Sequence, residues 1–387
     1  MNAKTRVMRR IGTSFALALA FAITTNARAD SGYQVQNLVS DGFVAAKNPT
    51  PDPNLVNAWG LAFSATSPAW IADNGTGLST LYDGNGNIIS LVVQIPSPSA
   101  LTGGTPTGIV ANVSTSATSF AVTGGSSKFI FATEDGIIAG WPGGTQAIIA
   151  VDNSNPPPPA MPAVYKGIAL SAGGSGQLLY ATDFRNGRVD VFSNTFAPAT
   201  LPAGAFNDPN LPSGYAPFGI QAISGNIYVT YAKQVLGSDD EAHGQGLGVV
   251  DVYDPNGVLL DRVATHGKLN APWGIAMAPA GFGKFSNSLL IGNFGDGTIN
   301  AYDPRTHELL GQLRGQDGKT IKIDGLWALE FGNGFNSQPV NTLFFTAGPD
   351  DENHGLFGRI DPPAPSANHG GGGDDQGDDN NNQGGGD

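Results

Sequence analysis

A six-fold internal repeat constrains this chain more than any other feature. A small residue followed by an aliphatic one recurs at a strand start as Trp59-Gly60-Leu61, Thr107-Gly108-Ile109, Lys166-Gly167-Ile168, Phe218-Gly219-Ile220 and Trp273-Gly274-Ile275. A degenerate sixth copy is Trp327-Ala328-Leu329. The small residues stand 48, 59, 52, 55 and 54 positions apart. A unit of that length is too long for one turn of a solenoid and suits a four-stranded propeller blade. Within each copy a second apolar strand follows, over 69–72, 129–133, 178–182, 227–231, 289–293 and 342–346. After a Gly/Asp-rich turn comes a third strand, closing on Leu81-Tyr82, Gly140-Trp141, Val191-Phe192, Val252-Tyr253, Ala301-Tyr302 and Phe357-Gly358. A fourth strand is clear over 88–95, 258–264 and 308–313.

The sixth copy has no fourth strand of its own. The segment 33–40 (YQVQNLVS) is strand-like and belongs to no other copy. It is expected to pair as the outer strand of blade six and so close the ring. Glycine suits the start of the innermost strand, where backbones crowd around the axis. The expected fold is therefore all-β, a six-bladed propeller over 30–361, with seven blades or two domains as the alternatives.

Composition agrees. The chain of 387 residues carries 55 glycines and 27 prolines but only 13% charged residues, which is what many short strands joined by tight turns require. A formal net charge of −13 argues against a nucleic-acid partner. The absence of cysteine excludes disulfides and thiolate chemistry. Lys4, Arg6, Arg9 and Arg10, the apolar stretch 11–23 and Ala27-Arg28-Ala29 read as a cleavable signal peptide over 1–29, which implies a periplasmic or secreted protein. No other stretch is long and apolar enough to span a membrane. The end, 362–387, reads as a disordered Gly/Asp/Asn-rich tail.

In a propeller, the loops after the second and fourth strands open on one face, and loops on a rigid scaffold carry most function. That face collects His243, beside Asp239, Asp240 and Glu241, then His266, and His354 in Asp350-Asp351-Glu352-Asn353-His354. It also collects Asp73, Asn74, Glu134, Asp183, Lys233 and Asn293, with Asn57 and Lys166 at first-strand entrances. Glu352, His354 and His266 are the candidate catalytic residues. Asn293, Asp183, Glu134 and His243 are candidate ligands for calcium or a transition metal. Trp59, Trp273, Phe294 and Trp327, with Lys233, are candidates for a ligand floor. Against each stands an ordinary reading: turn-forming aspartates, exposed loop histidines and tightly packed aromatics.

The chain resembles an uncharacterised family of exported bacterial NHL-like six-bladed propellers. The fragments that carry this are Asn57-Ala58-Trp59-Gly60-Leu61, Tyr231-Ala232-Lys233-Gln234, 270–274, 292–297 and 345–358. More distantly it is similar to the lactonase and gluconolactonase propellers, which implies an axial ion held by Glu, Asn and Asp. No standard catalytic motif is present. Two functions stay open. The favoured one is a binding or scaffold protein that holds a small molecule, glycan or protein on one loop face. The other is a metal-dependent hydrolase or lyase with an axial site.

Overall fold

The computed structural model describes residues 32–173 and 176–364. The expected signal peptide and most of the expected tail lie outside the described residues. Six antiparallel sheets surround one axis, and in the first five the strand nearest the axis comes first in sequence. Blade one runs Ala58–Ala62, Ala69–Asp73, Leu78–Tyr82 and Ile88–Gln94. Blade two runs Pro106–Ala111, Phe129–Thr133, Ile137–Trp141 and Ile148–Asp152. Blade four (Tyr215–Ile223 to Leu259–Thr265) and blade five (Pro272–Met277 to Leu309–Gln312) are also four-stranded.

Blade six consists of Leu326–Phe331, Leu343–Ala347 and Leu356–Asp361, completed by Gln34–Ser40 from the other end of the chain. This outer strand pairs antiparallel, with Gln34 opposite Asp361 and Ser40 opposite Leu356. The ring therefore closes as the sequence predicts. Tyr33 extends the closure, donating its hydroxyl to the Phe282 carbonyl at 2.8 Å.

Blade three is shorter than the repeat suggests. Its sheet holds only Tyr165–Gly173, Gly176–Asp183 and Arg188–Ser193. The stretch that follows carries Pro198, Pro202, Pro209 and Pro212. Proline has no N–H to give to a ladder, so a regular outer strand cannot form there. A single bridge between Phe192 and Pro198 is what remains.

The repeated glycines sit where the innermost strands meet. A Cβ on Gly60 would lie 2.4 Å from the Thr107 carbonyl oxygen, and one on Gly219 would lie 2.1 Å from that of Trp273. On Gly274 it would meet the Trp327 carbonyl oxygen at 2.5 Å. At these three positions, and at Gly167 against the Phe218 carbonyl oxygen at 3.0 Å, a carbonyl from the next blade fills the space beside the glycine, whereas Gly108 is closed by the Ile168 N–H and side chain. Threonine hydroxyls bridge neighbouring blades at the same level: Thr107 Oγ1 donates to the Tyr165 carbonyl and Thr182 Oγ1 to that of Phe218, each at 2.7 Å. Thr346 Oγ1 donates to the Trp59 carbonyl across the closure. Between blades the core is aromatic and aliphatic, as where Trp70 stacks on Phe129 at 4.2 Å. Among the described residues no helix is long and apolar enough to cross a membrane.

Gly219→Ala is expected to lower stability by about 1–3 kcal/mol, because the added methyl must push two blades apart. Urea denaturation of both proteins checks this. An unchanged midpoint would show that the ring tolerates separation at its axis.

Candidate functional site

The six residues that precede the small residue of each repeat, Trp59, Thr107, Lys166, Phe218, Trp273 and Trp327 (five before glycine, the last before Ala328), stand at equivalent points of the innermost strands. Five are aromatic or small, and the sixth is a lysine. The aromatics make a plug. Trp59 stacks on Trp327 at 3.7 Å, and Phe294 stacks on the same indole at 3.8 Å. Trp273 meets Trp59 and Trp327 edge-on at 6.4 and 5.8 Å. Phe184 and Phe218 complete the cluster. Trp59, Trp327, Phe184 and Phe218 are fully buried, so they form a sealed layer and not an open stacking surface.

On this layer sits Lys166. Its ammonium lies 5.1 Å from the Trp59 ring centroid and 5.9 Å from that of Phe184. It donates to Glu134 Oε1 at 2.7 Å. Glu134 Oε2 in turn accepts from Asn74 Nδ2 at 2.8 Å. Asn57 Nδ2 donates to Asn74 Oδ1 at 3.2 Å and to Glu352 Oε2 at 2.6 Å. Asn57 Oδ1 accepts from Trp327 Nε1 at 2.9 Å, which ties the polar network to the plug. An unbroken run, Lys166–Glu134–Asn74–Asn57–Glu352, therefore spans four blades on the face where the innermost strands begin.

The charges are strongly coupled. Burial works against the Lys166 ammonium, but the charges of Glu134, Glu241 and Glu352 and the Glu134 hydrogen bond outweigh it and hold its pKa above the ordinary value. Burial pushes the Glu352 carboxyl up to about 7, helped by the charges of Glu241 and Glu134, while Lys166 and the Asn57 hydrogen bond oppose the shift. His243 lies with Nε2 3.6 Å from Glu241 Oε1 and its ring edge-on to Phe294 at 5.1 Å. The hydrogen bond to Glu241 leads the effects that raise its pKa.

The backbone beneath Glu352 is unusual. Asp350, Asp351 and Glu352 have φ of 58°, 50° and 66°, three successive non-glycine residues in the left-handed region. Each such residue costs about 1 kcal/mol or more. The turn is held by Glu352 N–H to the Gly348 carbonyl at 3.1 Å and by Asp350 N–H to Asp324 Oδ2 at 3.0 Å. Asn57 N–H donates to the His354 carbonyl at 3.0 Å, so ring closure also fixes the distance between Asn57 and Glu352.

The sequence candidates divide. Glu352, Glu134 and the four aromatics come together, with His243 at the edge. His354 faces away: its Nδ1 lies 2.6 Å from Asp41 Oδ2 and its ring stacks on Phe43 at 4.0 Å, clamping the chain that leaves the closing strand. His266 is exposed, with Nδ1 2.8 Å from Thr265 Oγ1, and no contact joins it to Glu352. Lys233 is an exposed strand end. Asn293 spends its amide on the Lys268 carbonyl, Asp296 and Thr298, and its Oδ1 on the Asn270 N–H. Asp183 accepts from Val164 N–H and Asn186 and pairs with Arg188.

The four proposed metal ligands are thus not brought into one donor set. Among the described residues no group of three or more His, Asp and Glu side chains is arranged to hold a metal ion. The carboxylates at the axis already surround a cation, the Lys166 ammonium, so this geometry does not fit an axial calcium. Asn57, Asn74 and Lys166 carry the network and Glu241 acts on its charge; the sequence places all four on this face without assigning them a role. The signal for Lys166 lay in the repeat: a charged residue in a slot otherwise filled by aromatics or threonine.

Comparison with known proteins adds the family. The chain is 30% identical over 341 residues to the uncharacterized protein R648 of Acanthamoeba polyphaga mimivirus, covering 86% of this chain and 81% of that protein. It belongs to the R648 family. R648 is a viral protein, whereas the sequence resemblance pointed to exported bacterial propellers. No family model matches. Among solved structures, a glucose dehydrogenase is similar over 84% of this chain and 99% of its own at TM-score 0.52 and 13% identity. A calcium-binding regucalcin of Agrobacterium tumefaciens is similar over 85% of this chain and 93% of its own, at TM-score 0.46 and 14% identity. At such identities the likeness to solved structures shows the propeller fold alone.

The raised Glu352 pKa has a signed consequence. The folded state holds this proton more tightly than the unfolded state, so stability falls as pH rises from the ordinary carboxyl value of 4.5 to about 7 and then levels. Glu352→Gln removes that loss and keeps an acceptor for Asn57. The variant should gain ~1–2 kcal/mol on wild type between the two ends of that window, less than a fully dry carboxyl would give. Denaturant midpoints at both ends measure it. Parallel pH curves for the two proteins would contradict the assignment.

Proposed function

We propose that this propeller binds a small, neutral, hydroxyl-rich molecule at the axial mouth, through Asn57, Asn74, Glu134 and Glu352 above Lys166. The observation that carries this is the run of side chains from Glu352 to Lys166. Amides and carboxylates alternate along it and offer both donors and acceptors, and a hydroxyl can answer both. One ammonium among Glu134, Glu241 and Glu352 leaves the mouth acidic, which disfavours an anionic ligand. The sealed aromatic layer supports the reading from below, because hydrogen bonds next to a dry, low-dielectric floor are stronger than in water.

A second reading rests on one specific observation. A carboxyl poised at about 7 on strained backbone is suited to donate or accept a proton. Glu352 would then act as the acid/base group on a bound hydroxyl or cyclic ester.

A panel of neutral mono- and disaccharides and sugar lactones, screened by thermal shift and then calorimetry, tests both. At least one compound should stabilise the wild type, and Asn74→Ala should weaken its binding by roughly tenfold or more. If Glu352→Gln still binds a lactone but no longer turns it over, the second reading stands. If no neutral compound binds, or Asn74→Ala binds as wild type does, the proposal fails.

A further inference from the structure

The aromatic plug has another side. Below it, on the opposite end of the axis, a narrow cavity of about 30 Å³ runs between Gly60, Gly108 and Gly274 and reaches Trp273. It shares Leu61, Ile109, Gln221 and Glu330 with a larger cavity of about 130 Å³, which adds Phe63, Leu170 and Ala222 to its walls. That larger volume approaches the ~150 Å³ that holds a benzene ring in an engineered protein core.

The walls of both cavities contain no Lys, Arg or His and one acid, Glu330. Gln221 Nε2 donates to Glu330 Oε2 at 3.4 Å, a long bond, and this is the one side-chain hydrogen bond found for either residue among the described residues. Gln221 Oε1 and Glu330 Oε1 are left as two acceptors beside aliphatic walls. Burial raises the Glu330 carboxyl to about 7, with only the Gln221 hydrogen bond opposing it. Glu330 and Gln221 are half-buried, and neither cavity wall offers a Lys, Arg or His to answer the carboxylate's charge.

We propose that this opposite mouth is a second binding site, taking a compact apolar amine whose ammonium pairs with Glu330 and Gln221 while its hydrocarbon part fills the cavity beside Leu61, Phe63 and Leu170. The amine supplies the counter-charge, and its ring or branched chain matches the cavity in size and polarity. The site is separated from Lys166 by the indoles of Trp59, Trp273 and Trp327, so it does not depend on the axial-mouth reading. It gives the molecule two chemically different ends: an amide-and-carboxylate mouth for hydroxyl groups and an aliphatic cup for a hydrophobic cation.

Calorimetric titration of the full chain with cyclohexylammonium, and with cyclohexanol as the uncharged analogue, tests the site. Cyclohexylammonium should bind, and cyclohexanol should bind at least about tenfold more weakly. Glu330→Gln should reduce cyclohexylammonium binding by a similar factor. Ala222→Phe, which fills the cavity and keeps the carboxylate, should reduce it too. The melting curve of each variant confirms that it is folded. Cyclohexylammonium binding that survives both substitutions, or that is lost in Glu352→Gln and kept in Glu330→Gln, would place the amine elsewhere and overturn the proposal.

Discussion

The innermost strands of this ring approach so closely that a main-chain carbonyl of one blade occupies the space a side chain would need on the blade before it. Gly60 against Thr107, Gly219 against Trp273 and Gly274 against Trp327 are the tightest cases. The remaining architecture follows from that approach. Close inner strands bring the pre-glycine side chains together at the axis. Large aromatics there must stack, and the result is the Trp59, Trp327 and Phe294 layer that divides the axis in two. The threonine hydroxyls that reach from blade to blade satisfy carbonyls that the packing buries.

Placing one lysine in that aromatic ring creates the site. Lys166 is almost wholly buried, so its charge must be answered locally. Glu134 answers it directly, and Glu241 and Glu352 answer it at longer range. The same acids then repel one another, which is part of why Glu352 keeps its proton near neutrality. Ring closure enters here as well. The Gln34–Ser40 strand holds Leu356–Asp361, His354 grips Asp41 and Phe43, and the left-handed turn carrying Glu352 is fixed against Asn57. Stability and site geometry therefore share one set of contacts.

Much of the fold was legible in the sequence because the blade repeat imposes a local rule at each copy. The small residue before an aliphatic marks the innermost strand, the aromatic pair marks the end of the third, and the orphan segment 33–40 has one place to go. The lack of an outer strand in blade three was not legible, because prolines there remove donors without changing the spacing. The candidate site was legible in part: Glu352 and Glu134 were visible as acids on the face where the network lies. His266 and His354 were on that face too, but loop direction decides where a side chain points, and spacing does not encode it. Asn293 and Asp183 look like ligands in sequence and serve as turn braces, as Asn and Asp commonly do. Lys166 was visible at a first-strand entrance, and what marks it out there is that its copy breaks the aromatic-or-threonine pattern of the repeat.

On these contacts a charged Lys166 organises the axial mouth. Side-chain nitrogen NMR of Lys166, assigned by Lys166→Met and followed across pH, tests it most directly. One slowly exchanging ammonium signal should persist above pH 10.5, the ordinary value for lysine, and should move when Glu134 is replaced by Gln. A Lys166 amine already neutral near pH 8, or a signal indifferent to Glu134, would contradict it.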